Sequence, residues 1–536
     1  MSDRRPERIF AGKVASPGLA FGQVRLHARP TVDLRPAGPP EEEERRLALA
    51  LAEAGAHLAR LAARASEEGQ AILEFQIALI EDGELTDPVR QAILDRGSAA
   101  AAWRQVLDRQ VGEYDSSEDD YFRARAADIA DLRDRVLALL AGSNGAAVRA
   151  EDKGAIYVAD DLAPSRFLEI DWKSCRGAAL RNGSTSSHVA ILARALGVPL
   201  VVGLGPPELV DGAEAILDAE RGRLIQDPGS TTRKAFTARL GERAKEAQAE
   251  AAYLDKPAVT RSGKQIAVAI NVDEPTIVDS IDAAHCDGIG LTRTEFLFAH
   301  GLGEAVSEQA QFKIYAHLLD WAKGRAVTIR TLDAGGDKPI PGLTPEGETN
   351  PFLGLRGIRL SLSRPDVFRP QLRALARAAA RGPLKVMLPM VTVPREVEAT
   401  RGLMQRVLAE LAREGLPAAM PRLGMMVEVP AAALNVAAFD VEFYSIGSND
   451  LVQYVTATSR DCAAVAGLHD PLDPAVLELI GRVAAHGASA GREVGLCGDM
   501  ASDPRYLPAL LDLGLVSLSV APARLAKVKA LIARHD

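Results

Sequence analysis

Arg293, Arg330, Asp333, Glu428, Asn449, Asp450 and Cys497 all fall at, or just past, the C-terminal end of an apolar run. Arg293 and Arg330, with Arg356 and Arg460, supply planar, permanently charged forks suited to a small ligand bearing both carboxylate and phosphate. Glu428 and Asp450 are two carboxylates with room between them for water and phosphate oxygens, the usual setting for Mg²⁺, which takes few protein ligands. Cys497 stands between two glycines in GLCGDM. A thiol there could pass a proton to a carbanion or enolate, although a buried cysteine also serves simply as a small hydrophobe. Upstream, NGSTSSHVAILARALGVP places His188 after a run of small hydroxyl residues, at a helix start. Free N–H groups at a helix N-terminus favour an anion, so a phosphate on this imidazole would be stabilised, with Ser186 and Ser187 able to donate to it. Local spacing alone favours a capping serine beside an ordinary histidine.

The elements that carry these residues differ along the chain. IFAGKVASPGLAFGQVRLH reads as two short strands around Pro17-Gly18. From Glu41 to Ala141, EEEERRLALALAEAGAHLARLAARA, ILEFQIALIEDGEL and YFRARAADIADLRDRVLALLAG place Leu, Ala and Ile at helical spacing with charges on the other face, the pattern of a helical bundle. Strands return with AIYVADDL, GAALRNG and PLVVGLG, and the helix HVAILARALG lies between the last two. Residues 1–35 and 145–230 therefore read as an α/β domain, with the helical bundle of 36–144 inserted into or appended to it, and 231–256 reads as a linker helix. Beyond it QIAVAINV, GIGLTRTEF, AVTIRTLDAGG, LKVMLPMV, LGMMVEVP, VEFYSIGSND and EVGLCGDM alternate with helical stretches. That rhythm predicts a (β/α)₈ barrel over residues 257–536, whose active site belongs at the C-terminal strand ends. LRGIRLSL is the best candidate for the remaining strand.

The chain has 536 residues, enough for about three domains. A net charge of −9 offers no basic surplus to neutralise nucleic-acid phosphates, and an acidic face could attract a basic protein partner. The four cysteines lack CxxC spacing and fit neither a disulfide framework nor a zinc site. MSDRRPERIF lacks the apolar core of a signal peptide, and no apolar stretch is long enough to span a membrane. A soluble, cytoplasmic protein is expected.

The histidine segment resembles the phosphohistidine swivel motif of phosphoenolpyruvate-utilising enzymes, a G-G-x-T-S-H core before an apolar helix. LTRTEFLF, RTLDAGGDK, NPFLGLRGIR, MMVEVPAA, SIGSNDLVQY and LCGDMASD resemble the barrel motifs of that superfamily in order. From ASPGLAFG to APARLAKVKALI the chain is similar to the Enzyme I family of the bacterial phosphotransferase system. The resemblance implies a swivelling α/β domain with an inserted helical bundle, followed by a TIM-type barrel. It implies phosphoenolpyruvate clamped by Arg293, Arg330, Arg356 and Arg460 with help from Asn449 and Asp450, and Mg²⁺ on Glu428 and Asp450. It further implies transfer of the phosphoryl group to Nε2 of His188, protonation of enolpyruvate by Cys497, and onward transfer to the phosphocarrier HPr at the helical domain. A homodimer joined through the barrel, serving sugar uptake or a related regulatory relay, completes the expectation.

Departures stand beside the match. Ser184 replaces the usual second glycine and Ser186 the usual threonine, while TSRDC surrounds Arg460 where a D-R-G-N-like stretch is more usual. LHARP resembles the HPr signature around His27, but that signature needs a helix just after the histidine and PTVDLRPAGPP follows instead. A dikinase or synthase would share swivel and barrel but needs a nucleotide-binding domain, and no G-x-x-x-x-G-K-[ST] segment is present. A degenerate scaffold that binds the carrier without transferring phosphate is the other alternative.

Overall fold

The computed structural model describes residues 6–27, 38–62, 67–95, 97–116, 120–142, 153–185, 187–205, 208–298, 306–336, 338–340, 342–345, 347–459 and 465–536. It divides into two compact units, Met1–Glu242 and Arg243–Asp536.

The first unit contains an eight-stranded mixed sheet. Its strands are β1 (Arg8–Ala11), β2 (Lys13–Ser16), β3 (Leu19–His27), β4 (Ile156–Ala159), β5 (Gly177–Leu180), β6 (Leu200–Val202), β7 (Glu214–Asp218) and β8 (Arg223–Gln226), in the order β1-β8-β7-β3-β4-β5-β6-β2. The opening segment thus makes three strands rather than two, and GAEAILDAERGRLIQD adds an antiparallel hairpin that its length and charges conceal. Strands β3 and β4 are parallel neighbours, paired from Val24↔Ile156 to His27↔Ala159, yet the whole helical segment lies between them in sequence.

That segment forms α1 (Pro40–Ala62), α2 (Glu67–Glu81), α3 (Gly83–Leu94), α4 (Ala99–Asp115) and α5 (Asp120–Leu140). ILEFQIALIEDGEL is two helices because Asp82 caps the second, accepting from the Glu84 N–H at 2.8 Å. Trp103 is fully buried at the bundle core, and its indole donates to the Arg133 carbonyl. The α/β part adds α6 (Pro164–Glu169) and α7 (His188–Ala195), and α8 (Ser230–Ala251) carries the border between the two units.

The second unit is a closed barrel of eight parallel strands: β9 (Ala267–Val272), β10 (Gly288–Thr292), β11 (Ala326–Arg330), β12 (Leu384–Leu388), β13 (Arg422–Val427), β14 (Phe443–Gly447), β15 (Glu493–Cys497) and β16 (Ser517–Val520). The seven named runs are its first seven strands. The eighth is not LRGIRLSL, which runs into the helix Ile358–Ser363, but SLSV at residues 517–520, which closes the barrel onto β9. A short run of Ile and Leu among Arg and Ser fits either period, and its position after Gly357 decides for the helix. Alternate barrel residues pack outward against the helices, as Val494 and Leu496 do, while Glu493, Gly495 and Cys497 face the bore.

Candidate functional site

Strand ends bring the barrel residues together. Arg330 ends β11 with its side chain 5% exposed. Its guanidinium donates to Glu295 at 3.0 Å, pairs with Asp333 at 3.1 Å, and approaches the Met426 sulfur at 3.8 Å. Its Nε is buried with no hydrogen-bond partner, so one donor is left for a ligand. Arg356, 1% exposed, donates Nε to Asp333 Oδ1 and Nη2 to both Asp333 Oδ2 and Asp450 Oδ2, each at 3.1 Å. Asp333 is fully buried between the two guanidiniums, which hold its carboxyl well below the usual carboxylate range despite burial. The Tyr454 hydroxyl accepts from Arg356 at 3.5 Å and donates to the Phe352 carbonyl at 2.6 Å. Burial pushes that phenol up to about 12, so it stays a donor.

Glu428 follows β13 and is buried, accepting from the Met390 N–H at 2.6 Å. Burial, then Asp450 and Asp333, push its carboxyl up to about 8. A buried carboxylate repelled by two others is a place where a divalent cation is favourable, so Glu428 and Asp450 fit a Mg²⁺ site. Among the described residues no group of three or more His, Cys, Asp or Glu is arranged to hold a metal, which suits an ion that draws its other ligands from substrate and water. Asp450 and Asn449 lie in the first turn of the helix Ser448–Thr456. Asn449 bridges to Asp499, accepting from its N–H at 3.0 Å. Arg293 lies just past β10, paired with Asp273 and about one-third exposed. Arg460 lies outside the described residues.

Cys497 ends β15 in register with Gly447. Its thiol donates to the Ile446 carbonyl at 3.6 Å and accepts from the Ser445 hydroxyl at 3.5 Å. Leu291, Met387, Met426 and Phe443 surround it, and burial pushes the thiol up, so it holds its proton. Gly498 has φ 105, and a Cβ there would stand 2.4 Å from Ser448 Oγ, so the chain passes too close for any side chain.

In the other unit, His188 is the first residue of α7, and Ser187 caps the helix by accepting from the Ala190 N–H. The His188 ring is one-quarter exposed, with Nδ1 3.3 Å from Asp128 Oδ1 on α5. Asp128 is fully buried and also pairs with Arg125 at 3.1 Å. An ionised carboxylate can only accept, so this contact places the ring proton on Nδ1 and leaves Nε2 with its lone pair. One helical turn on, Asp131 accepts from Gln76 and from both the N–H and the hydroxyl of Ser165. Ser186 lies outside the described residues. His27 ends β3 with its ring stacked on Tyr157 at 4.0 Å, and the residues that would form a helix after it also lie outside the described ones.

Glu295, Asp333, Tyr454, Ser445 and Asp128 are the partners that composition does not announce. Asp333 and Ser445 carry a signal only through position, one just past a strand end and one facing the bore.

Comparisons with known proteins show the family to which the chain belongs. Residues 247–536 match the model of the PEP-binding domain of PEP-utilising enzymes, residues 11–125 the N-terminal domain, and residues 151–222 the mobile domain. Fold and site define a phosphoenolpyruvate-utilising enzyme. A phosphoenolpyruvate-protein phosphotransferase of Priestia megaterium is 34% identical over 533 residues, spanning 97% of this chain and 93% of that one. Its counterpart in Streptomyces coelicolor is 36% identical over 545 residues, spanning 98% and 94%. That of Staphylococcus carnosus is 35% identical over 468 residues, spanning 86% and 82%. The chain belongs to the phosphoenolpyruvate-protein phosphotransferase family.

Proposed function

We propose that this enzyme takes the phosphoryl group of phosphoenolpyruvate onto Nε2 of His188 and passes it to the histidine phosphocarrier HPr, releasing pyruvate. The observation that supports it most strongly is the buried pair of guanidiniums sharing Asp333 at the barrel mouth, in the same bore as a protonated Cys497 thiol. Arg330, Arg356 and Arg293 would bind the carboxylate and phosphate, with Asn449 and Arg460 completing the clamp. Because Asp333 and Glu295 fix the guanidiniums before substrate arrives, the charge on the transferring phosphoryl group meets donors that need no rearrangement. Glu428 and Asp450 would hold Mg²⁺, which when bound supplies positive charge to the phosphoryl oxygens.

Nε2 of His188 attacks the phosphorus in line, the P–O bond breaks toward enolpyruvate, and Asp128 stabilises the positive charge that grows on the ring. Cys497 then delivers its proton to the enolate carbon, giving pyruvate. The phosphohistidine is presented to HPr by the unit that contains the helical bundle. Sugar uptake or a related relay, action in the cytoplasm and a homodimer joined through the barrel belong to the same reading. Among the described residues no helix is long and apolar enough to cross a membrane.

Incubation with ³²P-labelled phosphoenolpyruvate and Mg²⁺ tests the proposal. The expected result is acid-labile, alkali-stable label on the wild type, discharged by HPr, and none on His188→Ala. Label persisting on His188→Ala would overturn the assignment of the carrier residue.

A further inference from the structure

The barrel bore holds a second space, toward the N-terminal ends of the strands and away from the substrate residues. It is a cavity of ≈ 70 Å³ whose polar lining includes Thr328, Lys385, Ser445, Glu493, Ser517 and Ser519. Barrels of this type usually fill their bores with stacked bulky side chains. Here Ala269 and Gly495 stand at such positions and leave the space open, while Ser519 packs closely over Gly290. The cavity's volume is well above the roughly 10–15 Å³ needed to hold a water, and its hydroxyls and charges give water partners. The rim reaches solvent at Glu493, whose side chain is 38% exposed and accepts from the Lys385 ammonium at 2.5 Å. At the inner end stands Ser445, which lines the cavity and donates its hydroxyl to the Cys497 sulfur.

Cys497 therefore sits between two compartments. The strand C-terminal ends face the substrate, the cavity faces the opposite end, and the collar of Leu291, Met387, Met426 and Phe443 surrounds the sulfur. A thiol that has protonated an enolate is left as a thiolate in this apolar setting, and the next turnover needs the proton back. A supply of water through the substrate mouth would expose the phosphoryl group to hydrolysis. The cavity reaches Ser445 from the other side, and the Ser445 hydroxyl contacts that sulfur.

We propose that this cavity is a water-filled proton channel that recharges Cys497 through the Ser445 hydroxyl from the N-terminal end of the barrel. The step balances. The S–H bond breaks as the C–H bond of pyruvate forms, the thiolate takes the Ser445 proton, and Ser445 takes one from a cavity water in the same movement. One solvent proton is consumed per pyruvate, with no oxidant or reductant. Ser445 acts through Cys497 and is a positioning and relay residue. The inference rests on Cys497 as the proton donor, so its test includes an arm for that reading.

The test compares Ser445→Ala, Ser445→Thr, Ala267→Leu and Cys497→Ala with the wild type, in rapid-quench and steady-state assays run in H₂O and D₂O. Ala267 lines the cavity without touching Cys497, and the larger side chain displaces water. Ser445→Ala and Ala267→Leu should carry out the first phosphoryl transfer at the wild-type rate with the wild-type affinity for phosphoenolpyruvate. Steady-state pyruvate formation should fall by about a hundredfold, the low end for a lost proton-transfer group, with a larger solvent isotope effect. Ser445→Thr, which keeps a hydroxyl, should restore both. Wild-type turnover and isotope effect in Ser445→Ala, with Cys497→Ala impaired, would overturn the channel and leave the donor standing. Unimpaired pyruvate formation in Cys497→Ala would overturn both.

Discussion

Glu428 carries a strain that its own residue type does not announce. Its carboxyl, ordinarily near 4.5, is pushed up to about 8 by burial and by Asp450 and Asp333. Between those two values the folded protein holds a proton that the unfolded chain has released, so stability falls as pH rises through that window. Asp333 works in the opposite direction, because its carboxyl is lowered and its contribution is lost only as pH drops below the ordinary carboxylate range. Metal-free protein should therefore melt at lower temperature at about pH 9 than at about pH 6, and Mg²⁺ should raise the melting temperature more at the higher pH, where no proton competes for Glu428. Scanning calorimetry with and without the ion checks this, and an identical pH slope in Glu428→Gln would sink it. Arg330, Glu428, Asp450 and Cys497 are legible in sequence because each follows an apolar run, and barrel chemistry collects at such ends. The saturation of Arg356 by Asp333 and Asp450 is not legible, because pairing between residues 94 positions apart leaves no local trace.

Strands and helices differ in how much they disclose. Seven barrel strands stand out as apolar runs because both faces of a parallel strand are buried. The eighth is only four residues long, and its two serines break the run. The bundle helices show their apolar stripe, but α5 departs from the pattern of charges turned to water. Asp128, Asp131 and Arg135 recur at three- and four-residue spacing on one face, and that face turns toward α6 and α7. Asp131 is buried and takes three hydrogen bonds from Gln76 and Ser165, and Arg135 reaches Ser165 and Glu169 at 2.5 Å. In a sequence read alone, this stripe cannot be told from a solvated face, since Ser165, Glu169 and His188 of the α/β part supply many of its partners. Asp131→Ala strands buried donors on Gln76 and Ser165 and should cost ~2–6 kcal/mol, at ~1–3 kcal/mol for each of the two residues. Urea unfolding of the full chain measures it. A change under ~0.5 kcal/mol, the usual range for surface substitutions, would show that the stripe does not brace the two parts.

At the scale of the molecule, His188, the proposed phosphate acceptor, and the proposed substrate residues belong to different compact units, each with its own hydrophobic core. The two half-reactions should then be separable by substitution in the intact chain. Arg330→Ala removes a proposed substrate donor and leaves Asp333 buried beside one guanidinium rather than two. Labelling from phosphoenolpyruvate should fall by ~10²–10³, the scale for losing one preorganised donor to developing charge. Labelling of His188 from phosphorylated HPr should stay within about twofold, as expected for residues that share no partners. His188→Ala should behave in the complementary way, binding phosphoenolpyruvate as the wild type does while accepting label from neither donor. Mixing the two variants does not place a competent histidine and a competent barrel on one chain. Recovery of phosphoenolpyruvate-dependent transfer in the mixture would mean that the histidine of one chain can reach the barrel of another. If Arg330→Ala instead lost both half-reactions equally, the barrel would be acting on the carrier step, and the division of labour between the units would fail.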